Sequence, residues 1–188
     1  MKKLEKYLII LFITFMGCKP NSIKKEYDQY ENFLVHSEIL KEDRQILISK
    51  PNFKHSTKLG EKKYPVIYVL DGEDMFHLVS AIVNFLSGIK GNKIIPESLV
   101  VGIVNTNRTK NYTHDLIEFE SESGHGSEFS KFIENELFKL IQDRYSVANY
   151  RTIIGHSYGG LFVINTLNKN HEMFDNYIAL DPSYQYIM

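Results

Sequence analysis

Ser157 stands at the centre of Gly155-His156-Ser157-Tyr158-Gly159, between the β-favouring run Thr152-Ile153-Ile154 and an apolar, helix-compatible segment that starts without a gap. Strand, sharp turn and helix in that order predict a nucleophile elbow with the serine hydroxyl exposed at its apex. So tight a turn excludes Cβ atoms beside it, which accounts for Gly155 and Gly159. A serine hydroxyl is a poor nucleophile near neutral pH, so the chemistry also demands a base, a group that orients the base, and donors for a developing oxyanion. The backbone N–H of Tyr158, at the positive end of the following helix, supplies the first donor. The second is expected in the loop after the third strand, Asp71-Gly72-Glu73, where the amide of Gly72 or of Glu73 would serve. The sequence leaves the choice between them open.

A base is harder to place. In this kind of site the chain order is Ser, then Asp or Glu, then His, the last two on loops after later strands. His171 is the only histidine after the elbow, and the best-placed acid, Asp181 at a strand end, follows it, so the order is reversed and both come early. His171 therefore reads as a surface residue of the turn Asn168 to Glu172, and Asp181 as a turn cap beside Pro182. His156 adjoins the nucleophile, but its side chain leaves the elbow in another direction. His114 and His125 lie on the polar stretch from Asn105 to Ser127 and could approach the cleft; long loops of this kind usually carry function. No H-E-x-x-H or comparable ligand spacing and no Gly-rich phosphate loop with its lysine is present, so no metal and no cofactor is expected.

The elements that must hold these residues follow from periodicity. Phe33, Val35 and Ser37 alternate with Leu34 and His36, and after Lys41-Glu42-Asp43 a second β-rich run spans Gln45 to Ser49, which predicts an antiparallel hairpin. Residues 51–63 read as a surface loop. Pro65 to Leu70 is a nearly continuous apolar run, as in a strand buried on both faces of a parallel sheet. From Glu73 the period becomes helical through Met75, Phe76, Leu78, Val79, Ile82, Val83 and Leu86 to Gly88. Leu99 to Val104 is another buried strand. Ser127 is expected to cap a helix whose apolar face is Phe129, Phe132, Ile133, Leu137, Leu140 and Ile141. The elbow strand, its helix to about Asn168, and a strand at Tyr177 to Leu180 complete a mainly parallel α/β architecture with an N-terminal antiparallel hairpin. A sheet ending near Ile178 would expose one strand edge and apolar helix faces.

The 188 residues carry 22 basic and 23 acidic side chains, a formal charge of -1, so no global field argues for nucleic acid or an anionic surface as partner. Lys2, Lys3 and Lys6 precede an apolar run from Tyr7 to Met16 that is too short to span a bilayer comfortably. Phe15-Met16-Gly17-Cys18 resembles a bacterial lipoprotein cleavage site, with Phe15 where Leu is usual and the single cysteine, Cys18, as the lipid acceptor. This organisation predicts a lipoprotein-type signal peptide at 1–18, a polar tether at 19–31 and an incomplete α/β-hydrolase domain at 32–188. The folded part is then expected in the bacterial cell envelope, outside the cytoplasm and held to a membrane through its N-terminal lipid.

Three segments carry a family resemblance: Val66 to Phe76, Val101 to Arg108 and Tyr150 to Gly160. They resemble the esterase family of α/β hydrolases that includes esterase D-like and enterochelin-esterase-like proteins. His36 to Leu40 with Asp43-Arg44 is similar to its entry hairpin, and Asp181-Pro182-Ser183 to the segment after its sixth strand. The resemblance covers about residues 32 to 188 and implies hydrolysis of a small-molecule carboxylic ester through an acyl-serine on Ser157. It further implies a loop over the cleft from Asn105, with Arg108 and Tyr112 as substrate contacts, although Asn111-Tyr112-Thr113-His114 stands where the family often has an acid followed by Thr-Pro; His156, beside Ser157, is a further substrate-binding candidate. The family's acid and histidine lie in a C-terminal part for which this chain has no counterpart, so the domain is expected to be C-terminally truncated. The alternatives are a catalytically incomplete, hydrolase-like lipoprotein acting as a binding or interaction protein, and acyl transfer to an acceptor other than water.

Overall fold

Alternating side-chain exposure along β1 (Tyr30–Ser37) and β2 (Glu42–Ser49) produces the expected hairpin, paired antiparallel from Tyr30 opposite Ser49 to Ser37 opposite Glu42. The computed structural model describes residues 30–51, 62–88, 93–118 and 120–184. The expected signal peptide, Cys18 and most of the tether lie outside the described residues. The strand begins at Tyr30, so the last two residues assigned to the tether belong to the sheet. Strands β3 (Tyr64–Val69), β4 (Leu99–Ile103), β5 (Val147–His156) and β6 (Asn176–Leu180) run parallel, in the order β1-β2-β4-β3-β5-β6, with β2 antiparallel to β4. All five residues of β4 are buried, as a central parallel strand requires.

Each face of the sheet has its own apolar layer. On one, Tyr68, Val101 and Ile153 pack with the aromatic side chains of α3 (Gly126–Phe132), α4 (Phe138–Arg144) and α5 (Tyr158–Lys169), Phe129, Phe138 and Phe162 among them. On the other, Val69 and Val100 meet Phe76, Val79 and Val83 of α1 (Gly72–Gly88). Burying each such side chain contributes on the order of 1.5–3 kcal/mol.

Two local expectations change. The helix that Ser127 was to cap starts at Gly126 with His125 at its N-cap and no side-chain capping bond, because Gly126 and its neighbours are tied to the preceding loop by the Gly126 N–H to Thr113 O bond of 2.7 Å. The long polar stretch also contains a helix, α2 (Arg108–Tyr112), capped by Asn107, whose side chain accepts the Lys110 N–H at 3.0 Å. Its apolar end residue, Tyr112, is driven inward onto Phe129 and Phe162.

Candidate active site

β5 ends at His156 and α5 begins at Tyr158, so one residue makes the whole turn: Ser157, at φ 55° and ψ -116°. A non-glycine residue held there stores on the order of 1–3 kcal/mol of strain unless its surroundings over-determine it. They do. A Cβ on Gly155 would lie 2.3 Å from the Gly159 carbonyl oxygen, and one on Gly160 would lie 3.0 Å from that of Leu180. The Ser157 N–H donates to Leu180 O at 3.0 Å, while its carbonyl accepts the N–H groups of Leu161 at 2.9 Å and Ser183 at 3.2 Å. The Ser157 backbone is therefore pinned from both α5 and the end of β6. Its Oγ lies 3.0 Å from Ser183 Oγ.

A second strained turn faces the elbow. Asp71 (φ 52°) leaves β3, and its carbonyl accepts the amides of Asp74 at 3.0 Å and Met75 at 2.9 Å. The first-turn amides that remain are those of Gly72 and Glu73, the two candidates for the second oxyanion donor. Gly72 also has a packing reason to be glycine, since a Cβ there would come within 2.9 Å of the Ile103 backbone. The Asp71 side chain is 5% exposed and accepts Arg108 Nε at Oδ1 (2.7 Å), Arg108 Nη2 at Oδ2 (3.0 Å) and the amide nitrogen of Asn105. Its N–H donates to the Tyr112 hydroxyl at 3.0 Å. Oδ2 also sits 3.2 Å from where a Gly159 Cβ would be, so this carboxylate packs directly against the elbow. The bonds to Asp71 hold the Arg108 guanidinium pKa above its ordinary value.

Comparisons of the sequence and of the fold with known proteins identify relatives. The family model described as "Putative esterase" matches residues 37–185. The chain belongs to that family. The ferri-bacillibactin esterase BesA of Bacillus subtilis is 33% identical over 158 residues, which span 73% of this chain and 53% of the relative. Among solved structures, an IroE-like serine hydrolase from Shewanella oneidensis matches with 33% identity and a TM-score of 0.76, over 84% of this chain and 52% of that one. The BES protein from Bacillus cereus matches with 26% identity and a TM-score of 0.75, over 99% of this chain and 67% of that one. The architecture is thus the α/β-hydrolase fold, and the chain spans about half the length of the curated relatives it matches.

Of the residues singled out from sequence, Ser157, Tyr158, Gly72, Glu73 and Arg108 belong to the two turns and the contacts between them. Arg108 is 40% exposed, with Nη2 3.5 Å from the His156 carbonyl oxygen and its guanidinium carbon 5.8 Å from the Tyr158 ring centre. His156 itself is exposed on the rim. Tyr112 needs correction: it is 0% exposed, its ring lies in the core, and its hydroxyl is taken by the Asp71 amide, so it supports the second turn and cannot touch a substrate. Burial raises its pKa. His114 stacks on Phe162 and has no bond to Ser157, and burial pushes its pKa down to about 4. His125 pairs loosely with Glu128 at 3.9 Å, and His171 is exposed. Asp181 is exposed at φ 42°, a turn residue as read. Sequence reasoning passed over Asp71, Asn105 and Ser183 as site residues. The one local signal in the sequence was Asp71-Gly72, a turn-forming pair directly after the apolar run that ends at Leu70.

Proposed function

We propose that this protein is a carboxylic ester hydrolase that acts through an acyl-serine on Ser157. The observation that carries the reading is the strained backbone of Ser157, pinned by β6 and α5 and set beside two first-turn amides at the end of β3. Strain of this kind persists where it presents a nucleophile. In the attack, Ser157 Oγ bonds to the ester carbonyl carbon as its proton passes to a base, and the Tyr158 N–H and the Gly72 or Glu73 N–H stabilise the oxyanion; the bond from that carbon to the alcohol oxygen then breaks, the alcohol leaves with the proton, and water releases the acid from Ser157. Arg108 and His156, on the rim, would contact the substrate. Relatives named for siderophore ester hydrolysis make a siderophore ester the first substrate to test.

Ser157→Ala should abolish hydrolysis of a short-chain aryl ester and of a siderophore ester by the full-length protein while leaving its unfolding midpoint nearly unchanged. Equal rates for the two forms would reject the reading. Among the described residues the Ser157 hydroxyl meets another hydroxyl and no imidazole, which favours a second reading, a hydrolase-like binding protein. Binding of the siderophore ester without turnover would select it. Acyl transfer would be read from an ester product formed with an added alcohol.

Anchoring in the bacterial envelope through a lipid on Cys18 is part of the same proposal. It is supported by the charged and apolar segments that precede Gly17-Cys18. Cys18→Ser should abolish incorporation of labelled palmitate and release the protein from the membrane fraction; retained label would exclude Cys18 as the acceptor.

A further inference from the structure

The segment Leu180–Ser183 does more than close the sheet. It reaches Ser157 three times: the Leu180 carbonyl accepts the Ser157 N–H at 3.0 Å, the Ser183 N–H donates to the Ser157 carbonyl at 3.2 Å, and the two hydroxyls lie 3.0 Å apart. Ser183 is 8% exposed, so its hydroxyl has little water to turn to. Asp181 at φ 42° bends the chain back over the elbow, and Pro182 packs where only the missing side chain of Gly160 leaves room, 3.1 Å from the place of a Cβ there. This contact is built by the backbone. It is not a chance meeting of two flexible side chains.

We infer that Ser183 is a positioning residue that holds the Ser157 hydroxyl in one rotamer and donates a hydrogen bond to Ser157 Oγ. The inference rests on Ser157 being a nucleophile, and that requirement fixes the direction of the bond. If Ser157 donated to Ser183, its proton would be tied up where no base can take it. With Ser183 as donor, the Ser157 proton stays free for transfer to a base, and the partial negative charge on Oγ as that proton leaves, before the new bond draws it onto the substrate oxygen, is met by one hydrogen bond. Ser183 loses no proton.

Two measurements test this, both on the full-length protein. In crystal structures, Ser157 should occupy one rotamer in the unmodified protein and at least two in Ser183→Ala; one unchanged rotamer in the variant would overturn the inference. The second is the rate of labelling by a fluorophosphonate, in which a bond forms from Ser157 Oγ to phosphorus, fluoride leaves and the Ser157 proton passes to a base. The rate constant should fall about tenfold in Ser183→Ala, the size of one hydrogen bond to a developing charge, with the reversible affinity unchanged, and Ser183→Thr should restore most of it. A purely structural role would lower the unfolding midpoint without this split, and equal labelling rates would overturn the donor role. Should the unmodified protein resist labelling while the variant loses its single rotamer, positioning stands and the acyl-serine reading falls.

Discussion

Asp71 at the site and His114, stacked on Phe162 of α5, each have a charge state that solution experiments can reach. Asp71 is nearly buried, and two of its bonds come from Arg108. Arg108→Met would leave that carboxylate with Asn105 as its remaining side-chain donor, and should cost about 2 kcal/mol in urea unfolding, below the full penalty of a broken buried pair because the guanidinium is partly solvated. His114 is held neutral by burial, its pKa down to about 4 from an ordinary 6.5. The unfolded chain then binds more protons between those values, so the stability His114 contributes is fully present above about pH 6.5 and lost as pH falls toward 4. The slope is at most about 1.4 kcal/mol per pH unit, less for partial solvation. His114→Phe should flatten stability against pH over this window, and an unchanged curve would refute the assignment. The residues legible in sequence were those of one short continuous turn, in which Ser157 makes the bend and Gly155 gives way to the carbonyl of Gly159 four residues on. Asp71 and Ser183 were not legible as site residues, because each acts through a contact made only when distant strand ends converge on the elbow.

At the scale of elements, the helix after residue 125 reads in sequence as one amphipathic run, and its inward face was largely foreseen. What periodicity could not show is the π-helical turn Ile133–Leu137 between α3 and α4. There the Phe138 N–H reaches back five residues to Ile133 O, and Phe138 joins the core beside Tyr68 and Phe174. The same turn carries Glu136, whose carboxylate accepts the Ser37 hydroxyl at 2.6 Å and the Ile39 N–H at 3.1 Å, locking the β1–β2 turn to the helical layer. Ser37 is fully buried and its Oγ also accepts the Leu40 N–H. Glu136→Ala therefore strips a buried hydroxyl and an amide of their acceptor and should cost about 1–3 kcal/mol. Glu136→Gln should recover part of this, and hydrogen exchange should speed up at Ile39. Exchange unchanged at that amide would mean the hairpin is held by other contacts.

For the molecule as a whole, the hairpin and the strand-helix alternation were legible, since each follows from local periodicity. The strand order was not, because it depends on which strands meet across the sheet. That order sets an asymmetry between the two faces. Helices α3, α4 and α5 cover one face, whereas on the other α1 packs mainly on β2, β3 and β4, leaving among the described residues an apolar groove of about 570 Å³ whose lining includes Ile67, Val79, Ile154, Ile178 and Leu180. Alternation along β6 sorts its side chains: Tyr177 and Ala179 pack on the covered side, while Ile178 and Leu180, 41% and 42% exposed, face the groove. Parallel strands are ordinarily buried on both faces, and an apolar groove of this size should take up hydrophobic molecules. An environment-sensitive hydrophobic dye should accordingly bind and brighten. Replacing both Ile178 and Leu180 by lysine should at least halve the enhancement and shift stability by no more than about 1 kcal/mol, because both side chains are already half in water. Undiminished dye binding would locate the exposed apolar surface elsewhere. A large loss of stability would instead show that these two side chains are covered in the folded protein, so dye uptake and unfolding together separate an open groove from a filled one.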